Sequence, residues 1–76
     1  MDETFIKVVA KAVLHFRKLD NLSQEELAHL ADLDRTYISG VERGVRNISM
    51  SSLEQIVNAL SISNHEFFSY ISKELK

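Results

Sequence analysis

The 76-residue sequence predicts an all-α fold. Three observations predict it. Apolar residues recur at steps of three and four along nearly the whole chain, and no strand-type alternation survives beside them. Proline is absent and only two glycines occur, so little interrupts the helical spacing. Ser23 with Glu26, and Ser63 with Glu66, have the serine-x-x-glutamate spacing of capping boxes that open helices. The length corresponds to a single domain, residues 1–76, containing five helices.

The first helix spans about residues 4–19. Ile6, Val9, Val13 and Phe16 form its apolar stripe, while Lys7, Lys11, Arg17 and Lys18 fall mostly elsewhere. Asp2 and Glu3 suit the positive end of its dipole, and Arg17 and Lys18 the negative end. Val8, Ala12, Leu14 and Leu19 exceed one stripe, which leaves apolar surface for a partner. Asn21 follows as a left-handed stop. The second helix starts at the Ser23 cap, with Leu22 and Leu27 as its hydrophobic staple, and ends near Asp32. Asp34 is expected to cap the third, which runs to about Arg43 and stops at Gly44. Ser49 caps the fourth, turning Met50, Leu53, Ile56, Val57 and Leu60 inward. The fifth begins after Ser63 and carries Phe67, Phe68, Tyr70, Ile71 and Leu75.

Residues 24–43 have the pattern of a helix–turn–helix. Ala28 is the small residue that two steeply crossing helices require where they touch. Leu27, Ala31, Leu33, Ile38 and Val41 are spaced to lock the second helix onto the first. Asp32 occupies the turn position where glycine is usual, so it is expected at positive φ. In the third helix Ile38 and Val41 face inward, joined by Val45 just beyond. Thr36, Ser39, Gly40 and Arg43 share the opposite face, with Arg35 in the first turn. That face bears short polar groups, bare backbone and arginine, as a surface that approaches DNA closely would. Arginine in a major groove reaches guanine O6 and N7 bidentately. Gly40 weakens a helix, so close approach to DNA or to a packed neighbour is needed to explain it. Arg46 and Asn47 can bind phosphates or a minor-groove edge. Gln24 at a helix start can clamp a phosphate. For Tyr37, a hydroxyl on phosphate and a contact at a base step remain equally open.

Charge supports this reading locally and opposes it globally. The chain carries −2, but residues 35–47 hold three arginines and one glutamate, giving +2 there and −4 elsewhere. Other classes are excluded by what is missing. There is no cysteine, the histidines His15, His29 and His65 have no i,i+4 spacing, and no metal site or cofactor is expected. No nucleophile elbow, phosphate loop or acid–base pair appears, so catalysis is not expected. No apolar run approaches a membrane span, and the start lacks a signal peptide's basic residues; a cytoplasmic location is expected.

Residues 5–68 resemble the Cro/C1-type helix–turn–helix family, through LSQEELA at 22–28 and the five-helix spacing. More narrowly, DRTYISGVERGVRN at 34–47 resembles the controller proteins of bacterial restriction–modification systems. The resemblance implies a compact lambda-repressor-like domain that forms a homodimer through its C-terminal helix. It implies binding to tandem pseudo-palindromic operators, activating and then repressing its own gene and the endonuclease gene. By the same resemblance Arg35, Thr36, Tyr37, Ser39, Arg43, Arg46 and Asn47 match DNA-contacting positions. Glu25, exposed on the second helix, is a candidate contact for the RNA polymerase sigma subunit. The departures are Asp32 and Asn21, both in positions where the family usually has glycine.

Phe67 and Phe68 are expected inward, and Tyr70, Ile71 and Leu75 toward a twin subunit. A chain this short buries only ~60% of its unfolded surface, so dimerisation would also serve stability. The alternatives are a phage-repressor-like or antitoxin-type autoregulator and, outside the DNA-binding class, a protein-interaction bundle.

Overall fold

The computed structural model describes residues 3–75, with side chains from Thr4 onward. Five helices follow in order: α1 (Glu3–Leu19), α2 (Gln24–Ala31), α3 (Arg35–Glu42), α4 (Met50–Ala59) and α5 (Asn64–Glu74). Asp2 and the Glu3 side chain, expected at the positive end of α1, lie outside the described residues.

Local chemistry sets most boundaries. Ser23 accepts the Glu26 amide at 3.0 Å while Glu26 accepts the Ser23 amide at 2.8 Å, which closes the first capping box. Ser63 and Glu66 close the second in the same way. Ser49 caps α4 by accepting the Ser52 amide. Three left-handed residues stop helices: Asn21 at φ 57°, Asp32 at φ 58° and Gly44 at φ 71°. Asp34 occupies the N-cap of α3, but its side chain makes no capping bond.

Val9, Val13 and Phe16 of α1 pack with Leu27, Ala28, Ala31, Ile38, Val41, Leu53, Ile56, Val57, Leu60 and Phe67 in one core. Val8 and Ala12 join them, so α1 turns more than one stripe inward within its own chain. Side-chain ties fasten the helices. Gln55 Nε2 donates to the Ala31 carbonyl at the end of α2 (2.9 Å), and Asp20 accepts the Ser61 amide (2.8 Å).

Four apolar residues depart from expectation. Met50 is 80% exposed, because it begins α4 at the rim of the core. Val45 is 69% exposed, because the reversal at Gly44 carries the chain away from the bundle. Phe68 also faces outward, one helical step from buried Phe67. Ile71, expected at an intersubunit surface, is only 5% exposed and belongs to the core. The reason is simple: it follows Phe67 by four residues and so shares its face.

Candidate nucleic-acid interface

The outer face of α3 is built on a firmly anchored helix. Its inner residues, Ile38 and Val41, are buried. Its C-terminal turn is held by an ion pair that is itself enclosed. Arg17 of α1 meets Glu42 in a fork, Nε to Oε2 at 2.6 Å and one terminal nitrogen to Oε1 at 2.9 Å. The other terminal nitrogen donates to the Leu22 carbonyl at 2.7 Å, and Gln24 Nε2 donates to Glu42 Oε1 at 2.9 Å. The two charged side chains are only 11% and 5% exposed. The bond to Glu42 holds the arginine's charge even more firmly than usual, its pKa raised despite burial. One cluster thus joins α1, the α1–α2 loop, the start of α2 and the end of α3.

This arrangement changes the charge of the outer face. Glu42 is the single acid among residues 35–47, and it is turned inward and neutralised. Among the described residues, Arg35, Arg43 and Arg46 form no ion pair. Three arginines are therefore displayed without a countercharge in their own segment.

Thr36, Gly40, Arg43, Val45, Arg46 and Asn47 line a shallow open groove along α3 and the following loop. It brings together four of the expected contact residues: Thr36, Arg43, Arg46 and Asn47. Arg35 is exposed at the first turn of α3, and Ser39 is half-buried. Arg43 Nε lies 3.4 Å from the Ser39 carbonyl, one turn back. Tyr37 is half-buried against the core, and Arg46 lies over its ring, 4.6 Å from the centroid. Gly40 is buried under a neighbour, the Arg46 side chain. A Cβ there would stand 3.5 Å from Arg46 Cβ, an ordinary contact, so the fold alone does not demand glycine. Gln24 does not join this groove, since its amide nitrogen is engaged by Glu42.

A family model described as helix-turn-helix, HTH_3, matches residues 15–67. The chain is 52% identical over 54 residues to the control protein C.MunI of a Mycoplasma species, covering 71% of this chain and 73% of that one. It is 44% identical over 57 residues to the control protein C.SmaI of Serratia marcescens, covering 75% and 68%. In structure it is similar to the restriction–modification controller protein C.Esp1396I, solved as a tetramer with its natural 35-base-pair operator. That likeness has a TM-score of 0.88 at 41% identity and covers 95% of this chain and 96% of the other. The chain belongs to the helix–turn–helix family, among its restriction–modification controllers.

In this controller the Arg17–Glu42 pair is the feature that sequence reasoning missed. By sequence, the helix dipole accounts for Arg17, and Glu42 counts against the charge of the outer face of α3. A signal existed, because Arg17 follows Val13 by four residues and Glu42 follows Ile38 by four. Each therefore sits on the apolar face of its helix. A second apolar feature lies beside the groove. Phe5, Ile6, Val9, Val41, Ile48, Met50, Leu53, Phe68 and Ile71, with Arg46, enclose a cleft of about 110 Å³. Of the residues expected at a subunit interface, Ile71 forms its floor. Tyr70 instead turns toward α1 and stacks on His15 at 4.6 Å. Leu75 is exposed near the end of the chain.

Proposed function

We propose that this chain is a homodimeric, sequence-specific DNA-binding regulator of transcription. As a restriction–modification controller, it activates and represses its own gene and the endonuclease gene. The observation that carries this reading is the outer face of α3, where three arginines stand free of ion pairs. The 76 residues act as one helix–turn–helix domain, and the DNA target implies work in the cytoplasm. An electrophoretic shift with DNA from upstream of the gene, at physiological salt and with competitor, tests it. A retarded species that survives competitor is expected. Its absence would favour a protein-interaction bundle.

Arg35 reads a base, because residues at the start of a recognition helix reach furthest into the major groove. Thr36, Tyr37, Ser39, Arg43, Arg46 and Asn47 supply the surrounding base and phosphate contacts, while Gln24, whose amide nitrogen donates to Glu42, stands outside the groove. Arg35→Ala should cost about 1–3 kcal/mol against the cognate operator and relax preference at the base it reads. Arg46→Ala should weaken cognate and non-cognate binding alike and flatten the salt dependence, as loss of a phosphate contact does. Parallel titrations on cognate and mismatched operators separate the two. Equal losses at every sequence would make Arg35 a phosphate contact only.

The dimer forms through the C-terminal helix, where Phe68, with Phe5 and Met50 around the cleft, offers exposed apolar surface. Glu25 is exposed on α2 beside exposed Leu30 and supplies a contact for the polymerase sigma subunit. Glu25→Ala should leave operator affinity intact and lower activated transcription in a reporter assay. A parallel loss of both would sink that role.

A further inference from the structure

Arg46 belongs to no helix, yet two residues of α3 fix its course. Its guanidinium carbon lies 4.6 Å from the centroid of the Tyr37 ring. Its stem crosses α3 at Gly40, where a Cβ would stand 3.5 Å from Arg46 Cβ and 3.6 Å from Nε. A side chain longer than alanine at position 40 would occupy the space through which that stem runs. Tyr37 is a firm rest, because its ring is packed against the core. The loop after α3 is thus fastened back onto the helix through the arginine it presents.

We propose that Tyr37 is a positioning residue for Arg46, holding its guanidinium at the edge of the α3 groove before DNA arrives, with Gly40 leaving the stem its course. The proposal rests on the reading of this face as DNA-binding. A long arginine on a loop ordinarily loses rotamer freedom when it docks, which weakens binding. Laid across bare backbone and stacked on a ring, Arg46 loses that freedom on folding instead. The expected advantage is about two- to fivefold in operator affinity, the size of an exposed cation–π contact.

The test combines proton NMR of the DNA-free chain with a double-mutant cycle on operator affinity. Ring-current displacement of the Arg46 side-chain protons is expected in the unsubstituted chain, kept in Tyr37→Phe and lost in Tyr37→Leu. Tyr37→Leu should weaken operator binding about two- to fivefold more when Arg46 is present than in an Arg46→Ala background. Tyr37→Phe should preserve the coupling, since the ring remains. Thermal melting checks that each variant folds, and Tyr37→Met replaces Tyr37→Leu if the latter does not. Strictly additive losses in the cycle overturn the proposal, as do Arg46 protons at unfolded-chain shifts in the free protein. An unsubstituted chain that binds no operator overturns the DNA-binding reading instead, while the NMR comparison still decides the stack.

Discussion

Glu42 shows how much one side chain's direction can matter. Pointing outward it would cancel an arginine on the reading face, whereas paired with Arg17 it anchors that face from behind. Taking two charges out of water is costly, and their attraction repays the cost only with good geometry and further hydrogen bonds. Leu22 and Gln24 provide those bonds here. Removing either ion strands the other, so Arg17→Ala or Glu42→Ala should each lower stability by about 3–5 kcal/mol. Urea denaturation at fixed protein concentration measures this, because the stability of the proposed dimer would depend on concentration. The double replacement Arg17→Met with Glu42→Leu should recover most of the loss, since apolar residues of similar volume often replace a buried pair without penalty. Single variants as stable as the unsubstituted chain would show the cluster to be solvated. The inward placement of both ions was legible from Val13 and Ile38, four residues before each. Their pairing was not, because 25 residues separate them and only the packing of α1 on α3 brings them together.

Helix ends were far more legible than helix faces. Serine caps, the Asn21 and Asp32 turns and the Gly44 stop depend on neighbours within a few residues, so the sequence displays them directly. Faces depend on what lies opposite, which explains why Met50, Val45, Phe68 and Ile71 lie otherwise than their spacing predicts. The α2 capping box also carries a pH signature. Glu26 accepts the Ser23 amide, and that bond, aided by the Ser23 side chain, holds its carboxyl below the usual carboxylate range. A carboxyl whose pKa is lower in the folded chain contributes stability above its unfolded value, near ~4.3, and loses it as pH falls through the folded value. The stability gap between the unsubstituted chain and Glu26→Gln should therefore be constant from neutral pH to about pH 5 and narrow on further acidification. Thermal melts across that range measure the gap. A gap unchanged by pH would leave the carboxylate's charge without a role in the cap.

At the scale of the whole molecule, the chain measures 32 × 23 × 20 Å, and α3 is the one recognition helix proposed for it. Half-sites read in successive major grooves lie about 34 Å apart, so reading both requires two chains. The acidity outside the proposed reading face should keep the proposed dimer off random DNA and make affinity depend on specific contacts. The proposed two-fold surface is best supplied by the rim of the apolar cleft. Phe5, Met50 and Phe68 are large, exposed and drawn from α1, α4 and α5, whereas Ile71 already serves the core and Tyr70 packs toward α1. Arg46 lines both this cleft and the α3 groove, so a partner seated here would bring the two reading faces near one another. Placing a charge on the rim separates the roles of stability and assembly. Met50→Glu alters a side chain that is 80% exposed, so the protomer should keep its helices and most of its core. In a dimer the same carboxylate would be buried unpaired, or meet its own copy across the axis. Sedimentation should then report a monomer at concentrations where the unsubstituted chain is a dimer. Operator affinity should fall by at least about tenfold, since each lone recognition helix must bind without its tethered twin. A Met50→Glu chain that remained dimeric would move the interface elsewhere on α5, with Leu75 the next residue to test.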